Sequence, residues 1–296
     1  MTHQEMFGGP WTQKKLEALS KYLAAYRKIF STNPRAQFFK TTYVDAFAGT
    51  GEIPVPENPM LRLILPDDVE GEEEFRKGSA RLALEVQPPF DHYVFIEKKA
   101  AKCEELEGLK GEFPDLDVKV IKGDANEELK EWCAGMNTRK ERAVVFLDPF
   151  GAQVDWAVIE TIAATKAIDF WLLFPYHAIN RMLVSDAKPS QAWAHRLTRV
   201  FGTNSWEEEF YGSFTQRSII GPEESFEVIY KDADKFKVTQ FFVARLKAIF
   251  AEVAEPGYLY NSKGLLFVLL FAAGNARGAP PALNIANSLI KKLNES

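Results

Sequence analysis

The chain has 296 residues, 46% of them hydrophobic and 26% charged, with a formal net charge of −5. That length suits one large domain, or one domain carrying a substantial insertion, and the composition excludes a disordered or low-complexity chain. The acidic balance excludes bulk attraction to nucleic acid as a default, while leaving room for a local basic groove.

The opening Met1-Thr2-His3-Gln4 run has neither a basic stretch nor a following apolar segment, so no secretory signal is expected. The most apolar stretch, Leu265 to Ala273, is far shorter than a bilayer span, and no membrane partner is expected. Cys103 and Cys133 fall on two different predicted helices and imply neither a disulfide framework nor a shared metal, which favours a cytoplasmic protein.

The first predicted element is a helix from about Thr12, with Leu16, Leu19, Leu23, Tyr26 and Phe30 three and four apart on one face. Lys14, Lys15, Lys21, Arg27, Lys28, Arg35 and Lys40 stand against the single acid Glu17 in this region. That excess suits either an anionic partner or a solvated outer face. Strand and helix signals then alternate: strands at Tyr43 to Phe47, His92 to Ile96, Val118 to Ile121, Ala143 to Leu147 and Ile168 to Phe174, and helices at Ser79 to Val86, Lys98 to Leu109, Ala125 to Cys133 and Trp156 to Lys166. The strands are continuous apolar runs, as expected of a mostly parallel sheet covered on both faces.

Two stretches interrupt the alternation. Residues 52–78 are acidic and contain prolines, and read as an inserted loop. Residues 176–235 are too long for a connection and predict a mainly helical insertion, a substrate or partner lobe. The core resumes over 236–296: Phe241, Phe242, Leu246, Ile249, Phe250 and Val253 draw a helical stripe, and Gly257 to Asn261, a turn at Ser262-Lys263-Gly264 and Leu265 to Phe271 predict an antiparallel hairpin. The expected organisation is thus an N-terminal helical segment over 1–42, an α/β core over 43–175, the insertion, and a closing helix and hairpin.

Acidic residues stand at successive strand ends. Asp45-Ala46-Phe47-Ala48-Gly49-Thr50-Gly51 leaves the first strand, where Gly49 and Gly51 let backbone approach a ligand and Asp45 can hold a cationic amino-acid head group. The missing third glycine argues against a pyrophosphate site. Glu97, ending the second strand, can receive both hydroxyls of a ribose, or can cap the next helix. Asp124 can accept an adenine amino group while the Ala125 backbone meets a ring nitrogen; Asp124 is equally placed to cap its helix. One ligand across the edge accounts for all three acids, and S-adenosylmethionine (SAM) fits them, with Phe47 inside the same binding segment. The pattern together with the terminal hairpin predicts a class I methyltransferase-like, Rossmann-like α/β fold.

The fourth strand runs into Asp148-Pro149-Phe150-Gly151. Asp148 can accept a hydrogen bond from an attacking amine, the Pro149 carbonyl supplies a second acceptor, and Phe150 offers a flat face to an aromatic substrate. The same four residues also make a stiff turn before the next helix. His177 lies near this edge and is a candidate substrate contact; neither it nor His195 has companions at metal-ligand spacing, so no metal is expected. Arg181, Lys188, Arg196 and Arg199 with Trp193 and Phe201 suit either a nucleic-acid surface or ordinary helix packing.

These residues resemble the three-Cys-motif partner protein (TcmP) family. The likeness rests on Trp11-Thr12-Gln13-Lys14-Lys15-Leu16, Lys21-Tyr22-Leu23, the Tyr43 to Gly51 segment, Phe146 to Gly151 and Phe271-Ala272-Ala273-Gly274-Asn275. It implies a SAM-dependent methyltransferase-like fold and a three-cysteine-motif protein as functional partner. Asp148-Pro149 is also similar to the start of the Asp-Pro-Pro-Tyr motif of amino-methyltransferases, from which Phe150 and Gly151 depart. The expected activity is methyl transfer to an amine in nucleic acid. The alternatives are a protein or small-molecule amine acceptor, and a noncatalytic SAM-binding or SAM-derived interaction module.

Overall fold

The computed structural model describes residues 10–48, 78–149, 151–217, 225–261 and 264–295. Gly49, Gly51, Phe150, Ser262 and Lys263, and all but the last residue of the 52–78 loop, lie outside the described residues.

Helix α1 (Pro10–Thr32) precedes strand β1 (Lys40–Ala46). Helix α2 (78–85) leads to β2 (His92–Glu97), α3 (Ala100–Gly111), β3 (Val118–Lys122), α4 (Ala125–Gly135), β4 (Glu141–Leu147), α5 (Trp156–Ala164) and β5 (Ile168–Phe174). The insertion holds α6 (Tyr176–Met182), α7 (Gln191–Phe201), α8 (Trp206–Phe210), β6 (Tyr211–Arg217) and β7 (Ser225–Lys231). The chain finishes with α9 (Lys235–Ile249), β8 (Glu252–Val253), β9 (Gly257–Asn261), β10 (Gly264–Ala273) and α10 (Ala279–Glu295).

Among the described residues the main sheet runs β3-β2-β1-β4-β5-β10-β8, with β9 also paired to β10. Strands β1 to β5 are mutually parallel, while β10 is antiparallel to β5, β8 and β9. This is a mixed α/β, mostly parallel sheet closed by antiparallel strands, the arrangement of a methyltransferase Rossmann-like fold. Placing β1 between β2 and β4 reverses the strand order there, which opens a ligand crevice beyond the strands' carboxyl ends.

Strand parity sorts the apolar runs into two cores. Val44, Ile96, Val145, Leu147 and Phe170 face α4, α5, α7 and α9, whereas Tyr43, Phe95, Phe146, Trp171 and Phe271 face α1, α2, α3 and α10. A sheet clad on both sides draws apolar residues onto both faces of its central strands, while the edge strand β3, Val118-Lys119-Val120-Ile121-Lys122, exposes its lysines. Each fully buried Leu or Phe side chain contributes about 1.5–3 kcal/mol to that sandwich.

The insertion is mainly helical, as expected, and it also carries a hairpin: α8 ends at Phe210, and β6 pairs antiparallel with β7, with Phe214 opposite Val228. Ser225 to Lys231 has period-two patterning, but it is too short and too exposed to stand out by hydrophobicity. Val253 does not continue the helical stripe. Phe250 ends α9 in extended backbone (φ −96°, ψ 158°), and Val253 enters β8 opposite Ala272.

The basic excess of α1 is partly spent inside the fold. Arg27 is buried, donating to Thr41 Oγ1 at 2.6 Å and the Pro88 carbonyl at 3.3 Å, and Lys40 pairs with Asp91 at 2.9 Å. Phe201 of the second basic-aromatic cluster is core, Arg199 is paired with Asp155, and Lys188 lies 3.6 Å from Glu207. The structure thus takes the packing alternative for Phe201 and leaves Trp193 half-buried. Cys103 is free on α3 and Cys133 is free and buried on α4, where burial pushes its thiol up to about 12. Among the described residues no helix is long and apolar enough to cross a membrane.

Candidate cofactor and active site

The acidic residues read from the sequence converge at the carboxyl edge of the sheet. Register places Asp45 across from Phe95 and Phe146, and Glu97 across from Lys122. Asp45, Glu97 and Asp148 share the parity of Tyr43, Phe95 and Phe146, so all three leave the sheet toward the α1 and α2 side. With adjacent strands about 4.8 Å apart, Glu97 and Asp148 flank β1 at a separation of about 10 Å.

Asp45 is buried, and its Oδ2 accepts from Ser79 Oγ at 3.1 Å and from the Tyr43 hydroxyl at 3.4 Å. Loss of solvation and the neighbouring Asp45 and Asp148 carboxylates hold the Tyr43 phenol well above its ordinary pKa, so it stays a donor. Ser79 sits in the first turn of α2, directly after the inserted loop, and ties that helix to the end of β1. Sequence reasoning missed both donors. A period-two link from Tyr43 to Asp45 was available as a signal; none pointed to Ser79.

The segment after Asp45 is strained. Phe47 has φ +87°, and both its amide and that of Ala48 donate to the Ile96 carbonyl at 3.1 Å. A β-carbon in this left-handed region costs about 1–2 kcal/mol, which a glycine would avoid. The Phe47 ring packs against the core below the sheet edge, an offsetting gain.

Glu97 is buried and its Oε1 accepts from the Lys99 amide at 2.7 Å, just before α3. This bond fixes the turn that leads into α3, whose N-cap residue is Lys99 and has no side-chain cap. Asp124 is the N-cap of α4: its Oδ1 accepts from the Asn126 amide at 3.0 Å, while its Oδ2 meets the exposed Lys98 ammonium at 3.3 Å. Burial opposes ionisation of Asp124, but the Asn126 amide and Lys98 outweigh it and hold the carboxyl below its ordinary pKa, leaving a charged acceptor at neutral pH. The cap thus uses Oδ1, while Oδ2 faces the exposed Lys98 ammonium. Ala125 opens the helix, and its amide belongs to the first turn, whose donors the helix itself does not bond.

Asp148 and Pro149 follow β4 and are buried, Asp148 to 1% exposure. Gly151 then takes φ +75°, a left-handed turn that swings the chain toward α5. His177 is half-buried in the first turn of α6, which starts straight after β5 at this same edge. His195 is exposed on α7. Farther along the edge, Lys235 donates to the Tyr260 hydroxyl at 2.9 Å and lies 5.2 Å from the Phe236 ring centre, with both rings about half exposed. Tyr258 is level with Phe174 through β10, so Tyr260, two residues farther along β9, stands beyond the height of Asp148 across the sheet. Sequence reasoning missed this cluster because its members are split between α9 and β9.

No protein-family model and no curated protein matches the sequence. Among solved structures, a SAM-dependent methyltransferase from Clostridium acetobutylicum ATCC 824 is similar at 11% identity and a TM-score of 0.37, over 86% of this chain and 92% of that one. A likeness at this level does not extend to activity or ligand. Fold and site therefore stand on the sheet order and the row of acids.

Proposed function

We propose that the chain binds SAM along the acid row and transfers its methyl group to an amine in nucleic acid, acting with a three-cysteine-motif protein. The observation that carries the reading is the placement of Asp45, Glu97 and Asp124 at the ends of three adjacent strands, with Asp148 at the end of the fourth. SAM presents a cationic head group, a ribose diol and an adenine, and the three acids match them in type and order. Asp45 is steadied by the Ser79 and Tyr43 hydroxyls, Glu97 by one backbone amide, and Asp124 by the start of α4.

When bound, the cofactor supplies an electrophilic methyl on a sulfonium. The chain's own contribution is alignment. An amine donating to Asp148 and to the Pro149 carbonyl is held with its lone pair turned away from both acceptors, and positive charge gathering on nitrogen is stabilised by the carboxylate. Burial of Asp148 strengthens this interaction by excluding water. The half-exposed Phe236 and Tyr260 rings at the same edge suit a flat acceptor such as a base, and Lys235 a phosphate.

The test is incubation of the purified chain, alone and with a three-cysteine-motif protein, with methyl-labelled SAM and separate DNA, RNA, protein and small-molecule pools. Label in nucleic acid that is lost in Asp148→Ala is expected. Label confined to the protein or small-molecule pool replaces the acceptor assignment, and SAM binding without transfer in every pool replaces catalysis with a binding module.

A further inference from the structure

Asp124 is joined to the insertion by a continuous line of polar contacts. Asn126 Nδ2 donates to Asp124 Oδ1 at 3.3 Å and to the Gln153 carbonyl at 3.1 Å, and Asn126 Oδ1 accepts from the Asp155 amide at 2.9 Å. One side chain thus fixes the carboxylate at the adenine end to the 151–155 loop, which itself follows Asp148-Pro149. The line continues outward, because Asp155 is paired with Arg199 on α7. A second contact runs beside it. Gly202, in left-handed backbone at the end of α7, lies so close to Trp156 that a β-carbon there would stand 2.1 Å from the ring. Arg245 of α9 covers the Trp156 ring at 4.4 Å.

We propose that Asn126 is a positioning residue for Asp124, and that the Arg199–Asp155 pair extends this control to the insertion, so that the lobe and the cofactor site move as one. The proposal rests on the SAM reading above. Asn126 holds the Oδ1 side of the carboxylate, and Oδ2, which meets the exposed Lys98 ammonium, is the oxygen that would be offered to the adenine amino group. Without it the carboxylate keeps its backbone cap but loses a fixed rotamer and its tie to the loop. Arg199 is half-exposed on a lobe helix and acts only through Asp155 and Asn126.

The experiment is calorimetric titration of SAM into the full chain and into Asp124→Ala, Asn126→Ala, their double variant, Arg199→Ala and Arg199→Lys. Loss of one hydrogen-bonded contact predicts about tenfold weaker binding for each of the first two. Because Asn126 acts through Asp124, the double variant is expected to bind about as weakly as Asp124→Ala alone. Arg199→Ala is expected to weaken binding about threefold and Arg199→Lys to restore it; this arm carries the test if Asn126→Ala does not fold. Wild-type affinity in Asn126→Ala, losses that multiply in the double variant, or an unchanged Arg199→Ala each overturn the proposal while the SAM reading stands. No SAM binding by the wild type overturns both.

Discussion

The two edges of the central sheet treat their acids differently. At the amino edge, Asp91 accepts from Lys40 at 2.9 Å and from both the amide and the hydroxyl of Thr41 at 2.9 Å, with Arg27 4.0 Å away. Asp169 accepts from the Tyr22 hydroxyl at 2.6 Å within the field of Arg142. At the carboxyl edge, Asp45 accepts from the Tyr43 and Ser79 hydroxyls, Glu97 from the Lys99 amide, and Asp124 from the Asn126 amide and the exposed Lys98 ammonium. The amino edge is built to hold α1 against the sheet. The carboxyl edge gathers four acids at the ends of adjacent strands, where the proposed ligand would lie.

Substitutions at the two edges should therefore separate function from stability. The largest effect is expected for Asp148→Asn, which should lower methyl transfer about a hundredfold or more while SAM affinity, read by calorimetry, changes little. Arg27→Ala should do the reverse: it removes a buried donor to Thr41 Oγ1 and to the Pro88 carbonyl, lowering stability by about 3 kcal/mol in a denaturant titration and leaving SAM affinity as it was. A pH series isolates Asp169. Lost solvation pushes its carboxyl up to about 6, against the Tyr22 hydrogen bond and the Arg142 charge, which pull it down. The folded state therefore binds this proton more tightly than the unfolded chain. Its contribution is complete below about pH 4 and is lost as pH rises through about 6, a fall of about 3 kcal/mol in unfolding free energy. Tyr22→Phe should have the smallest effect, about 1 kcal/mol, and should move that transition to higher pH.

What the sequence disclosed follows from the same contrast. Parallel strands clad on both faces are apolar through their middles, so β1, β2, β4 and β5 stood out as runs, and each run's end marked an edge position. Asp45, Glu97, Asp124 and Asp148 were legible because topology alone puts strand ends together. Contacts that depend on how helices pack were not legible. Asn126 reads as an ordinary first-turn residue until the 151–155 loop is folded against it, and Arg199 reads as one of several surface bases until Asp155 is opposite. Phe47 gave no hint of its left-handed backbone, because the local preference of phenylalanine is overruled by the turn and by core contact. The β6–β7 hairpin was hidden by its short, exposed strands, and Val253 by an apolar period that outlasts the helix carrying it.

The central claim is that the acid row binds SAM, and calorimetric titration of SAM into the wild type and Glu97→Ala, with unfolding midpoints taken in parallel, tests it most directly. The account predicts saturable binding by the wild type and an affinity at least about tenfold weaker in Glu97→Ala at an unchanged midpoint. Equal affinity in the two proteins, or no binding by the folded wild type, would contradict it.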